Sequence, residues 1–197
     1  MVFSALFFLF VFIPTFALCY VLASLIDRRL CGRDTSSKCL VRNIITVVFS
    51  LVFYGWGEPI YVFLMLLCVL LNYWSGLHID RYEGKARKRA LVVGLVCNIS
   101  ILGIFKYAGL FAQTLNNIGI PIHVPAIALP IGISFYTFQS ISYLVDVYRK
   151  EAPVQRRFGN LLLYISMFPQ LVAGPIVRYD TIAREINHRS TTANDRS

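Results

Sequence analysis

Charge is scarce in this chain. Of its 197 residues, 15% are charged and 57% are hydrophobic, with a mean hydropathy of +0.64. Residues 1–26 hold no Lys, Arg, Asp or Glu. A soluble domain of this length needs no such uncharged runs, so composition excludes that class. The opening segment has neither the basic start nor the small-residue cleavage site of a secretory leader, and it reads as an uncleaved span. Cysteine is also sparse. Cys19, Cys68 and Cys97 lie in apolar runs, where a thiol behaves as a small hydrophobe. Cys31 and Cys39 share a basic loop without the His or Cys companions a zinc site needs, so neither metal nor disulfide is expected. There is no glycine-rich phosphate loop, dinucleotide fingerprint or internal repeat, hence no bound cofactor of those kinds. The basic residues form no stripe interleaved with stacking aromatics, which argues against nucleic acid as a partner.

What is present is a series of apolar runs. They predict an all-α, polytopic membrane protein of about five to six transmembrane or re-entrant helices, near 2–26, 43–56, 60–79, 90–107, 127–147 and 159–177. As a helix the first is about 39 Å long, ample to span with tilt. Gly57-Glu58-Pro59 makes a tight hairpin between the second and third spans, and Tyr54, Trp56 and Tyr61 around it suit a membrane interface. Gln113-Thr-Leu-Asn-Asn-Ile-Gly and then Pro121 and Pro125 carry loop-forming residues between the fourth and fifth. Pro130 and Gly132 kink the start of the fifth, and Lys106 snorkels from the end of the fourth.

The basic residues orient the bundle. Arg28, Arg29, Arg33, Lys38 and Arg42 fall in one connection. Arg81, Lys85, Arg87, Lys88 and Arg89 fall in the next, and Arg149, Lys150, Arg156 and Arg157 in a third. By the positive-inside rule these loops are cytoplasmic and the N-terminus is periplasmic or extracellular. Six full crossings would then put Arg178, Arg184, Arg189 and Arg196 outside. The sixth run holds Pro169, Gln170, Gly174 and Pro175, so a re-entrant or broken helix is expected there.

The most informative stretch is Ala128–Arg149, ALPIGISFYTFQSISYLVDVYR. At about 100° per residue, Tyr136, Gln139, Tyr143 and Asp146 share one face, and Phe138, Ile141 and Val145 the opposite one. A carboxylate near the bilayer centre costs about 2.5–3.5 kcal/mol, so the polar face should turn inward. Helix-to-helix packing is the plain role for such groups, and one wall of a substrate path the sharper one. Gln170 and Arg178 join them as candidates to line or brace a channel. Ser134, Ser140 and Ser142 have no histidine nearby, which argues against a serine triad.

Several motifs are long, ordered and correctly spaced: MVFSALFFLFVFIP at 1–14, LVFYGWGEPIYVFLMLLCVLLNYWSG at 51–76, GIFKYAGLF at 103–111, LPIGISFYTFQSISYLVDVYR at 129–149 and ISMFPQLVAGPIVRY at 165–179. In these the chain resembles the N-terminal part of the membrane-bound O-acyltransferases, in their bacterial alginate O-acetyltransferase-like branch. The resemblance runs over residues 1–179, with 180–197 a polar loop or truncated tail. It implies a helical ring around a central funnel in the bacterial inner membrane. It also implies acetyl transfer to hydroxyls of an exported polysaccharide such as alginate or another envelope glycan. The donor would be acetyl-CoA or another activated acyl group. The implied partners are membrane lipid, the polysaccharide acceptor and an extracytoplasmic acetyl-handling protein.

Family members are more than twice as long, with their catalytic histidine beyond the region seen here. His78 at a span end, His123 between prolines and His188 in the polar tail are poor substitutes. The expectation is therefore a fragment with no catalytic residue of its own, inactive in isolation. The competing class is a non-catalytic membrane channel, transporter or scaffold subunit.

Overall fold

A computed structural model of the protein describes residues 6–31, 40–117, 130, 132–168 and 179. Among these, six α-helices follow in order: α1 (Ile13–Cys31), α2 (Leu40–Gly57), α3 (Tyr61–Arg81), α4 (Gly84–Asn117), α5 (Ile133–Arg149) and α6 (Phe158–Ser166). A single π-helical turn, Phe8–Phe12, leads into α1. Phe8–Asp27, Tyr61–Arg81 and Gly84–Tyr107 are long and apolar enough to cross a membrane, and Val41–Gly57 is a shorter apolar helix.

The helices form two groups joined by α6. In one, α3, α4 and α5 pack against one another; in the other, α1 packs on α2. The short α6 touches α2, α3 and α5. Two apolar stripes face outward, as suits lipid or a further helix: Phe63, Leu67, Leu70 and Trp74 on α3, and Ile44, Val48, Val52 and Trp56 on α2 are exposed at helical spacing. Between α3 and α4 an amide pair replaces apolar contact. Asn72 and Asn98 exchange hydrogen bonds of 3.0 and 2.8 Å, and each also donates to the carbonyl four residues before it. Buried amides need such partners, and these two satisfy each other.

The expected hairpin is present, closed by the Glu58 N–H donating to the Tyr54 carbonyl at 2.9 Å. Of the aromatics around it, Tyr54 is buried in the core, whereas Trp56 is exposed. Two boundaries differ from expectation. The fourth helix runs through Gln113 to Asn117, because no proline falls in that stretch and the local turn chemistry does not outweigh propagation. The fifth starts at Ile133 rather than near 127, where Gly132 takes a left-handed φ of 81° that other residues resist.

The break in the sixth run has a physical support. α6 spans nine residues, about 14 Å and far short of a crossing. Met167 leaves helical geometry, and the Phe168 N–H donates to Ser50 Oγ of α2 at 3.3 Å. Broken backbone survives at membrane depth only where protein supplies the missing partner. The Phe168 ring then sits against Phe8, Phe12, Phe16 and Phe53, centroids 6.4, 5.6, 5.5 and 5.7 Å away. This phenylalanine cluster fastens the broken segment to the α1–α2 pair. Residues 169–178 lie outside those described.

At the end bearing the basic connections, Asp27 of α1 caps α2. Its carboxylate accepts the Val41 and Arg42 N–H groups at 3.1 and 3.3 Å and the Arg42 Nε at 3.1 Å. A carboxylate there satisfies open N–H groups and favours the helix dipole.

Phe168→Ala should destabilise the whole protein in detergent by about 3 kcal/mol, the range for emptying a packed aromatic site. Ser50→Ala, which strands a buried N–H, should cost about 1–3 kcal/mol. Unfolding in mixed SDS micelles measures both. Wild-type resistance in both variants would mean that the break is not anchored here.

Candidate functional site: the polar face of α5

The α5 sequence alternates small and polar side chains on one side with Phe135 and Phe138 on the other. Folding resolves that pattern: Tyr136, Thr137, Gln139, Ser140, Tyr143 and Asp146 are all buried, while Phe138 is 50% exposed. The four predicted residues thus stand on one inward face. Asp146 lies in the last turn of α5, three residues before Arg149, at the basic end of the helix.

That placement puts a carboxylate at the negative end of a helix dipole, and cations gather against it. Arg87 of α4 donates through Nη2 to the Val147 and Tyr148 carbonyls at 3.0 and 2.8 Å. Its guanidinium also lies 5.3 Å from the Tyr148 ring centroid. The chain reverses at Lys150 in a left-handed conformation of φ 61°. The Asp146 carbonyl accepts the Glu151 and Ala152 N–H groups at 3.0 and 3.4 Å. A polar pocket of about 380 Å³ opens at this end, with Asp80, Glu83, Arg87, Lys150 and Glu151 around it.

Deeper in, Tyr143 is held on three sides. Gly76 of α3 faces it: a Cβ at that position would fall 2.5 Å from Tyr143 Oη and 2.9 Å from Cε1. The Gln155 N–H donates to Tyr143 Oη at 3.3 Å. Tyr179 meets the Tyr143 ring edge to face at 4.8 Å and also packs on Tyr164 at 5.3 Å. Gln155 links the two tyrosines, because its Nε2 donates to Tyr179 Oη at 3.2 Å while its Oε1 accepts the Arg157 N–H at 3.2 Å. Further along α5, the Tyr136 hydroxyl faces that of Tyr54 on α2.

Tyr136, Gln139, Tyr143 and Asp146 are therefore brought together on α5, whereas Gln170 and Arg178 lie outside the described residues, as do His123 and His188. His78 is exposed, its Nδ1 donating to the Trp74 carbonyl at 2.8 Å. Among the described residues no three His, Cys, Asp or Glu side chains could hold a metal ion. The face offers hydroxyls, an amide and one carboxylate, which suits bracing and polar lining; the described residues pair no nucleophile with a base.

Sequence reasoning missed Gln155, Gly76 and Arg87. Gln155 sits in a connection read only for its basic residues, and tertiary folding reveals it as buried. Gly76 carried a usable signal, since a glycine inside an apolar helix marks close approach of a neighbour.

Gly76→Ala should weaken the fold by about 1–3 kcal/mol through the clash with Tyr143. The Gly76→Ala/Tyr143→Phe pair should lose less than the sum of the single changes, because removing Oη relieves the closest contact. Thermal unfolding of the four proteins of this cycle measures the coupling, and strict additivity would place the two residues apart.

No family model matches the chain, and no solved structure does. Curated relatives do. A protein of Pseudomonas aeruginosa named as a probable alginate O-acetylase, AlgI, is 37% identical over 98% of this chain and 36% of its own length. A protein of Azotobacter vinelandii with the same name is 37% identical over 98% of the chain and 37% of its length. The peptidoglycan O-acetyltransferase of Helicobacter pylori is 31% identical over 73% of the chain and 32% of its length. The chain thus spans about a third of the length of these relatives. Identity carried almost from end to end, on an all-helical fold with membrane-length apolar helices, leads to one assignment: the chain belongs to the membrane-bound O-acyltransferase family, in the branch of the alginate O-acetylases.

Proposed function

We propose that this chain forms part of the helical ring of an O-acetyltransferase acting on an exported polysaccharide, with alginate or another envelope glycan as acceptor. The observation that carries the reading is the 37% identity to alginate O-acetylases over 98% of the chain. In the reaction, an acceptor hydroxyl oxygen attacks the acetyl carbonyl carbon. A new ester C–O bond forms, the bond to the donor's leaving group breaks, and the hydroxyl proton passes to a base. Such a step needs a base near neutral pKa and donors aimed at the tetrahedral oxyanion. In this reading the catalytic histidine lies elsewhere in the protein and these 197 residues do not turn over alone; the chain's span of about a third of its relatives' length supports it. Acetyl-CoA or another activated acyl group supplies the acetyl. An extracytoplasmic acetyl-handling protein works alongside.

The protein is membrane-bound. The inner membrane is the proposed location, with the basic end of the bundle cytoplasmic and the N-terminus outside. The polar pocket beside Arg87 and Lys150 then opens toward the cytoplasmic donor. The closed packing of Tyr136 and Tyr143 favours bracing over lining: the α5 face holds one wall of the path in shape. Gln139 and Asp146 keep that wall polar.

Asp146→Asn and Gln139→Leu in the whole protein should lower acetyl esters on the polymer about tenfold, within the range for a misplaced catalytic wall. Membrane abundance should stay within about twofold. Ester analysis of purified polymer beside quantitative immunoblots measures both, and parallel losses would return these residues to simple packing. Acetyl transfer by the isolated 197-residue chain would overturn the placement of the base. A fully active polymer acetylation pathway in cells without the gene would favour a transport or scaffold role.

A further inference from the structure

The outer surface between α3 and α4 carries a groove of about 410 Å³ that the transferase reading does not use. Its floor is hollowed by small residues, Ser75, Ala86, Ala90 and Gly94, and its walls include Leu71, Trp74, Val93 and Cys97. At Gly94 the helices lie close: a Cβ there would fall 2.7 Å from Leu144 Cδ1 of α5 and 3.2 Å from the Ser75 side chain of α3. The rims, Trp74 and Val93, are each 60% exposed, and the groove faces where lipid would be.

The mouth has a different chemistry. Tyr82 and Arg89 stand there at the basic end of the bundle, beside exposed Lys85 and Lys88. Arg89 makes no ion pair among the described residues. An apolar slot running into the membrane, with a guanidinium and a phenol at its interfacial end, repeats the order of a phospholipid: tail, then anionic head. Charge complementarity selects the anionic kind, since a phosphate with no compensating cation is what an unpaired Arg beside two lysines attracts. Aromatic Trp74 and Tyr82 suit the interface.

We propose that this groove is a binding site for an anionic phospholipid. One acyl chain lies along Leu71, Val93 and Cys97, and the head-group phosphate meets Arg89 and Tyr82. The site holds α3 and α4 in register at the membrane surface. Acetyl transfer is not its readout, so the result stands apart from the transferase reading.

The test places the whole protein in nanodiscs containing phosphatidylglycerol, or phosphatidylcholine, with a diazirine in the acyl chain. Crosslinks are mapped by mass spectrometry. Phosphatidylglycerol should label residues 71–78 and 86–98 about fivefold more than phosphatidylcholine, the ratio expected for one basic side chain at an anionic surface. Arg89→Gln should bring the two lipids to parity, Ala86→Trp should remove labelling by both, and Arg149→Gln should change neither. Size-exclusion elution checks folding, and Arg89→Gln, an exposed change, keeps the test decisive should Ala86→Trp misfold. Equal labelling by both lipids in the wild type would overturn the proposal. So would labelling of the exposed α1 face as strong as that of the groove. An unlabelled groove would overturn it as well, with another part of the protein or a second copy as the occupant.

Discussion

Inside a bilayer no water is available to a polar side chain, and that constraint organises the α5 neighbourhood. Tyr136, Gln139, Tyr143 and Asp146 occupy one face of a single helix, so all must be enclosed at once. The enclosure is supplied by α3, α4 and α6, and it dictates details far from α5. Gly76 must be glycine-sized for the Tyr143 ring to fit, and Gly94 for Leu144 to fit. The 150–157 connection folds back so that Gln155 can serve both Tyr143 and Tyr179.

The same constraint explains how a nine-residue helix can end inside the bundle. An exposed break would leave backbone groups without partners. Here Ser50 accepts the Phe168 N–H, and the phenylalanine rings of the N-terminal segment and α2 close around Phe168. Polar satisfaction and aromatic packing act together: the hydrogen bond removes the penalty of the break, and the rings fix its position. Asp27 does similar work at the opposite end of α2 by capping its first turn.

Much of this could be read before folding. The 3.6-residue period of α5 placed its four polar residues on one side, and proline and glycine in the sixth run announced the break near Met167. The rest depended on partners distant in sequence. Asn72 and Asn98 were visible as amides within apolar runs, but only the packing of α3 on α4 makes them a reciprocal pair. Gln155 lay among arginines, in a connection read only for its charge. The fifth span was drawn back to residue 127, whereas the left-handed Gly132 starts the helix six residues later; Asp146 stays in its last turn. The Gln113–Asn117 stretch read as loop, yet helix continues through it.

The direction in which α5 faces is the claim on which the others stand, and a cysteine scan along it tests that most directly. In a protein freed of its five native cysteines, single cysteines at 135, 136, 138, 139, 143 and 146 would be exposed to a lipid-soluble maleimide in native membranes. The account predicts reaction at 135 and 138 and protection at 136, 139, 143 and 146. Faster reaction at 139 or 143 than at 138 would contradict it, because the polar face would then look toward lipid and the bundle around it would be wrong.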